Sequence, residues 1–213
     1  MSTLTPTPRG VFVCFEGGEG AGKSTQSRLL VEALRASGHV VRPTYEPGDT
    51  PVGARLREIL LDPATGDLAP RTEALIYAAD KAEHVATVVE PALARGEVVV
   101  TDRYVDSTLA YQGAGRTLAT DEVEHVARWA TDDLRPDLTV LLDLDPTAGM
   151  ARFTGRDRIE GAGEEFHVRV RQGFLDLAAA DPGSYLVLDA RAPVEETHAA
   201  VRERVEALLG VAR

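Results

Sequence analysis

Gly17-Gly18-Glu19-Gly20-Ala21-Gly22-Lys23-Ser24 fits the pattern G-x-x-x-x-G-K-[ST], whose chemistry is the grip of a polyphosphate. The backbone N–H groups of such a turn, and the positive end of the helix that follows, point at one anion. Gly17 and Gly22 permit backbone angles and close approaches that a Cβ would block. Lys23 can reach the β- and γ-phosphates of a nucleoside triphosphate, and the Ser24 hydroxyl can join the shell of a Mg²⁺ ion that arrives with it. The stretch from Gly17 to Thr25 is therefore the expected triphosphate-binding segment, and the chain is expected to bind a nucleoside triphosphate. A second polar group, Asp102-Arg103-Tyr104, ends an apolar run and is a further site candidate.

These groups need a scaffold. Residues 11–15 form an apolar run of strand type and residues 25–36 read as an amphipathic helix, which is the strand–turn–helix context a phosphate loop requires. Residues 39–43 read as a second strand, which completes a first βαβ unit. Further strands are expected at 97–101, 138–144 and 185–188, and helices at 51–61, 71–95, 105–111, 121–131, 164–180 and 193–209. Pro91 is placed to start a new turn in the segment 71–95 or to kink it. Another helix starts at 146, and residues 112–116 read as a glycine-containing loop. Strands that are apolar throughout, alternating with helices, mean a parallel sheet covered on both faces. The expected architecture is a three-layer α/β/α fold with a five-stranded parallel sheet. In such sheets ligands sit beyond the carboxyl ends of the strands, where residues 45–50 and 102–104 fall.

Composition narrows the function. With 213 residues, 44% hydrophobic and 27% charged, the chain has the make-up of an ordinary globular protein. A net charge of −11 argues against a nucleic-acid partner, which would need a basic face. The single cysteine, Cys14, excludes a disulfide framework within the chain and suits a reducing compartment. No apolar run approaches the length of a membrane span, so a cytoplasmic protein is expected. Residues 1–9 read as a flexible tail and 10–213 as one domain. Five histidines are scattered without i, i+4 pairing, so a protein-held metal cage is not expected. There is no asparagine, so the Asn-Lys-x-Asp base-reading block of a GTP-driven switch cannot be present.

Four blocks, 15–25, 46–48, 102–104 with 107–113, and 157–160, resemble the thymidylate kinases of the P-loop nucleoside-monophosphate kinase family. The resemblance runs over essentially the whole chain after the tail. It implies transfer of the ATP γ-phosphoryl group to dTMP, with Mg²⁺ as the accompanying ion, and a homodimer joined through helices such as 71–89 and 121–131. By the same resemblance Lys23 holds the phosphates, Asp102 is the acid near the metal and acceptor, and Arg103 grips the acceptor's 5′-phosphate. Glu19 would lie near the acceptor sugar. Glu46, Pro47, Tyr77, Lys81, Ser107, Thr108, Tyr111 and Gln112 would line the dTMP site. Tyr111 would stack by the deoxyribose, and Thr108 and Gln112 would neighbour the base. A short lid at about 152–163 would supply the catalytic cation. Gly20 stands where some relatives have a loop arginine, so Arg152, Arg156 and Arg158 are the candidates, with Arg156 preferred for the γ-phosphate and Arg152 for ATP.

Three positions depart from the pattern. Asp49 stands where relatives usually have glycine, Tyr77 where they have phenylalanine, and Lys81 where they have arginine. Lysine offers a point charge in place of a planar fork, so base recognition could be altered. A kinase for another or a modified deoxypyrimidine monophosphate is thus the alternative reading.

Overall fold

A computed structural model describes residues 9–116, 118–150, 158–159 and 163–211. Its centre is a five-stranded, all-parallel sheet in the order β2-β3-β1-β4-β5. The strands are β1 (Phe12–Glu16), β2 (Val41–Tyr45), β3 (Val98–Asp102), β4 (Leu138–Asp143) and β5 (Tyr185–Asp189). The helices are α1 (Lys23–Ala36), α2 (Pro51–Leu61), α3 (Pro70–His84), α4 (Glu90–Ala94), α5 (Val105–Thr108), α6 (Thr120–Ala130), α7 (Pro146–Met150), α8 (Glu164–Ala180) and α9 (Val194–Val211).

The period of two in β1 decides the layering. Val13 and Phe15 face a core that contains Leu30, Val31 and Leu34 of α1 and Val201 and Val205 of α9. Phe12 and Cys14 face the other layer, where Val85, Val89, Leu93 and Tyr104 close over them. Alternate residues are thus buried on both faces, which is why the strand reads as continuously apolar. Burying each of the two phenylalanines contributes about 1.5–3 kcal/mol.

Register brings the chemistry together. Phe15 of β1 and Tyr45 of β2 both pair with Asp102 of β3. The phosphate loop, the loop after β2 and the Asp102-Arg103 turn therefore leave the sheet side by side at one edge.

Two expectations about helices need correction. Residues 71–95 are not one regular α-helix: after α3 the chain widens into a π turn over Val85–Val89, and α4 then starts with Pro91 in its first turn, the first of the two roles expected of it. Proline has no N–H and its ring crowds the carbonyl four residues back, here Thr87, so the wider turn absorbs the conflict one turn earlier. The stretch 112–116 is not an open loop: Leu109–Gly115 is a π-helical continuation of α5. Tyr111 within it packs edge-on against Phe166 and Phe174 of α8, with ring centroids 6.0 and 6.1 Å away. Packing on α8 holds wound a segment whose glycines suggest a loop. The second strand also starts two residues later than expected, at Val41, and includes Tyr45.

Candidate active site

The phosphate loop leaves β1 at Gly17, whose φ is 137°. A side chain here would be strained, and its Cβ would drive into the Leu142 carbonyl oxygen of β4. Gly22 adopts a left-handed conformation, φ 91°, as the cap from which α1 starts. Lys23 is buried, and its Nζ donates to the carbonyl oxygens of Gly17 and Gly18 at 3.0 and 2.9 Å. Burial, together with the Arg103 guanidinium, lowers its pKa. The side chain is bent back along the loop, which holds the ammonium at the loop's mouth.

Ser24 donates its hydroxyl to Asp102 Oδ2 at 2.6 Å. Asp102 therefore faces the first turn of α1 and does not cap α5. That task falls to Glu16, the fully buried last residue of β1. Its Oε1 accepts from the backbone N–H groups of Tyr104 and Ser107 at 2.8 and 3.1 Å, and its Oε2 accepts from the Ser107 hydroxyl at 2.6 Å. Burial and the nearby Asp106 carboxyl push Glu16 up to about 7.

Arg103 sits between these features. Its φ is 73°, a left-handed conformation that costs a non-glycine residue about 1–3 kcal/mol and recurs at functional sites. The guanidinium donates to the Gly17 carbonyl (3.2 Å), to Ser107 Oγ (3.0 Å) and to the Tyr111 hydroxyl (3.2 Å), and it pairs with Glu19. It also lies over the Tyr111 ring, 5.0 Å from the centroid. Burial alone would raise the Glu19 pKa, but Arg103 and Lys23 pull it down to about 2, so Glu19 is a carboxylate at neutral pH.

Beyond Arg103 lies a cavity of about 170 Å³. Glu19, Glu46, Pro47, Tyr77, Lys81, Arg103, Ser107, Thr108, Tyr111 and Gln112 all line it, which brings together every residue expected at the dTMP site. A second, more open groove of about 720 Å³ runs past Gly20, Gly22, Lys23, Ser24, Thr25 and Asp102. The two spaces share Glu19, Glu46, Arg57 and Arg103.

The walls of the cavity are tied by buried charge. Lys81 Nζ is 2.8 Å from Glu46 Oε2, and His84 Nδ1 is 2.7 Å from Glu46 Oε1, with all three side chains almost fully buried. Burial raises the Glu46 pKa and the Lys81 charge lowers it; the net direction is down. Lys81 Nζ also stands 5.7 Å from the Tyr77 ring centroid. Asp80 beside it accepts from the Gly48 N–H at 3.1 Å and is pushed up to about 6 by burial and by Glu46. Asp49 turns away from the cavity: it accepts from Thr44 Oγ1 at 2.6 Å and from Arg42 at 3.2 Å. That departure from the pattern does not enter the pocket wall.

Arg152 and Arg156 lie outside the described residues. Arg158 is within them and is committed elsewhere: Nη1 is 2.6 Å from Glu73 Oε2, and Nε donates to the Leu60 carbonyl at 2.8 Å. It is not directed at the phosphate loop. Three residues that matter were missed by sequence reasoning. Arg57 of α2 lines both spaces and donates to the Pro47 carbonyl at 2.7 Å, but its helical context carries no motif. Glu16 and Glu73 are buried carboxylates. For Glu16 the available signal was a charge closing an otherwise apolar strand.

Among the described residues no group of three or more His, Cys, Asp or Glu could hold a metal on its own. The adjacent Ser24 and Asp102 suit instead a divalent ion that brings phosphate oxygens and water as its remaining ligands.

The family model described as thymidylate kinase matches residues 15–201. A thymidylate kinase of Cutibacterium acnes is 58% identical over 200 residues, covering 94% of this chain and 98% of that protein. One from Deinococcus radiodurans is 52% identical over 196 residues, covering 91% and 95%. The crystal structure of thymidylate kinase from Ehrlichia chaffeensis superposes with a TM-score of 0.78 at 30% identity, covering 93% of this chain and all of that one. With a family model matched over residues 15–201 and relatives more than half identical over nearly the whole chain, this chain belongs to the thymidylate kinase family.

Proposed function

We infer that the chain transfers the γ-phosphoryl group of ATP to dTMP, giving dTDP and ADP, as a step towards dTTP. The observation that carries the reading is the junction: the groove along the phosphate loop and the cavity lined by base-type contacts meet at Arg103 and Arg57. An acceptor whose base lies against Thr108 and Gln112 would place its phosphate at these guanidiniums.

An oxygen of the dTMP phosphate attacks the γ-phosphorus, and the bond from that phosphorus to the β–γ bridging oxygen breaks, so ADP leaves with the electron pair. The nucleophile needs no base, because a phosphate monoester with its second pKa near about 6 is already largely dianionic at neutral pH. The protein's work is positioning and charge stabilisation. Lys23 turns from the Gly17 and Gly18 carbonyls to the β- and γ-phosphates. Arg103 presents a planar fork to the acceptor phosphate, held flat by Glu19 and Tyr111. Ser24 and Asp102 would hold Mg²⁺, which when bound neutralises charge on the triphosphate. Since Arg158 is engaged by Glu73, we assign the cation for the transferring phosphoryl to Arg156, with Arg152 on ATP; Arg156→Ala should lower kcat more than KM.

Lys81 keeps a base contact through one donor, and Lys81→Arg is expected to raise kcat/KM for dTMP; no kinetic effect would remove it from base recognition. The protein is proposed to be a cytoplasmic homodimer. Supporting this, the apolar groove between α3 and α6 exposes Leu75 at 58%, near Ala74, Ala78, Val123 and Val126. Sedimentation should give twice the chain mass for wild type and one chain mass for Leu75→Glu; one mass for both would remove the dimer. Among the described residues no helix is long and apolar enough to cross a membrane. The function itself is tested by ADP release from Mg-ATP with dTMP, dUMP, dCMP, AMP and GMP, using Lys23→Ala as blank. Strong preference for dTMP is expected, and preference for a purine acceptor would overturn the reading.

A further inference from the structure

Glu73 lies outside the cavity yet controls one of its walls. It is a fully buried residue of α3. Its Oε1 accepts from Gln112 Nε2 at 2.9 Å and from Arg116 Nε at 3.1 Å. Its Oε2 accepts from Arg116 Nη2 at 3.2 Å and faces Arg158 Nη1 at 2.6 Å. Two guanidiniums on one carboxylate leave the cluster with a net positive charge. Burial works against ionisation, but the hydrogen bonds from Arg116 and Gln112 outweigh it and hold the Glu73 carboxyl below its ordinary range.

An ionised carboxylate only accepts hydrogen bonds. The side of the Gln112 amide that meets Glu73 must therefore be its NH₂, whichever way an amide might otherwise be drawn. The carbonyl Oε1 and the second N–H are left for the cavity that Gln112 lines. Two neighbours complete that wall. Thr108, four residues earlier, is 2% exposed, and its hydroxyl has no hydrogen-bond partner among the described residues. Lys81 contributes donors only. The Glu19 and Glu46 carboxylates that also line the cavity are engaged by Arg103 and by Lys81 and His84, so beside Thr108 the Gln112 carbonyl is the acceptor left for a ligand.

We propose that Glu73 is a positioning residue for base recognition: by fixing the Gln112 amide it makes the cavity select pyrimidines whose N3 carries a proton between two carbonyls, and reject cytosine. The proposal rests on the reading of this cavity as the nucleobase site. Thymine and uracil present N3–H to the Gln112 carbonyl and a C=O to its free N–H. Cytosine presents N3 as an acceptor and an exocyclic amine, so two acceptors would face each other inside the cavity. A flip of Gln112 would accommodate cytosine, and Glu73 forbids that flip. Sites whose buried polar groups are left unpaired by the wrong ligand reject it by about 10⁴–10⁵-fold. The 5-methyl group is not read by this device, so Glu73 should not separate dTMP from dUMP.

The test is steady-state kinetics of wild type, Glu73→Gln and Glu73→Asp with dTMP, dUMP and dCMP. In Glu73→Gln the new amide can offer its own NH₂ to the Gln112 carbonyl, which frees the flip. The preference for dTMP over dCMP should then fall at least about tenfold, mainly through KM, while the dTMP to dUMP ratio stays put. Glu73→Asp, which keeps an acceptor-only group, should retain the preference. A uniform loss on all three nucleotides, with preferences intact, would show a purely structural role and overturn the proposal. Wild-type inactivity towards both dTMP and dUMP would instead sink the base-site reading, before the variants are compared. Should Glu73→Gln fail to fold, nitrogen-15 NMR of wild type decides: one Gln112 side-chain amide proton should exchange slowly and lie downfield, and two freely exchanging protons would overturn the assignment.

Discussion

The phosphate end and the base end of this site are built by different means. At the phosphate end, Lys23 and Ser24 follow directly on the loop they serve, and Lys23 bonds to carbonyls five and six residues away. At the base end, Glu46 meets Lys81 and His84, and Glu73 meets Gln112, Arg116 and Arg158, across long spans of chain. One end is a local backbone device that uses N–H groups and a helix dipole. The other is a set of buried ion pairs whose partners only the tertiary fold can supply. Under the proposed function, the first serves charge stabilisation in the transition state and the second serves shape, stability and choice of base.

Substitutions can break that contrast or sharpen it. Lys23→Ala removes the charge that meets the transferring phosphates. It should cut kcat by about 10³-fold while leaving the thermal midpoint and dTMP binding near wild type, as read by ADP release and calorimetry. Lys81→Met should do the opposite first. It strands the Glu46 carboxylate in the interior, so urea unfolding should show a loss of about 3–5 kcal/mol, and adding Glu46→Gln should restore part of it. Equal and additive losses would mean that the pair is not coupled. Arg103→Lys keeps a charge at the junction but loses the fork, and kcat/KM for dTMP should fall about 10²-fold with stability little changed.

The smallest expected effect is on pH dependence. Glu16, raised to about 7 in the folded protein from an ordinary value of 4.5, binds its proton more tightly when folded. Its contribution is full below about pH 4.5 and is lost as pH rises through 7, about 2 kcal/mol of it between pH 5 and 7. Asp80, raised to about 6, acts in the same direction, whereas Glu19, lowered to about 2, loses its contribution only in strong acid. Chemical unfolding of wild type should weaken over that window, and Glu16→Gln should flatten the slope. A wild type that gains stability from pH 5 to 7 would contradict the burial of these carboxyls.

The same contrast explains what could be read in the sequence. The loop from Gly17 to Ser24, the parallel sheet and the α2 bounds were legible because they are local: fixed spacing, apolar runs and turn residues carry them. Asp102 and Arg103 were legible as polar residues closing an apolar strand, but the hydrogen bond from Ser24 to Asp102 was not, nor was Glu16, which takes the capping role from 88 and 91 positions away in its contacts with Tyr104 and Ser107. The glycines of 113–115 point to a loop, and only packing of Tyr111 against α8 shows why the segment is wound. Arg57 and Glu73 carry no local signal, because an arginine or glutamate on a helix usually faces solvent. Lys81 was legible as a departure, but its burial against Glu46 was not.

The most direct measurement is phosphorus-31 NMR of the protein turning over with Mg-ATP and dTMP. The phosphate resonances of dTDP and ADP should rise together, one for one, with no inorganic phosphate, and the signal should vanish with Lys23→Ala. Inorganic phosphate in place of dTDP would contradict the account, because it would mean that water, not an acceptor held at Arg103, receives the phosphoryl group.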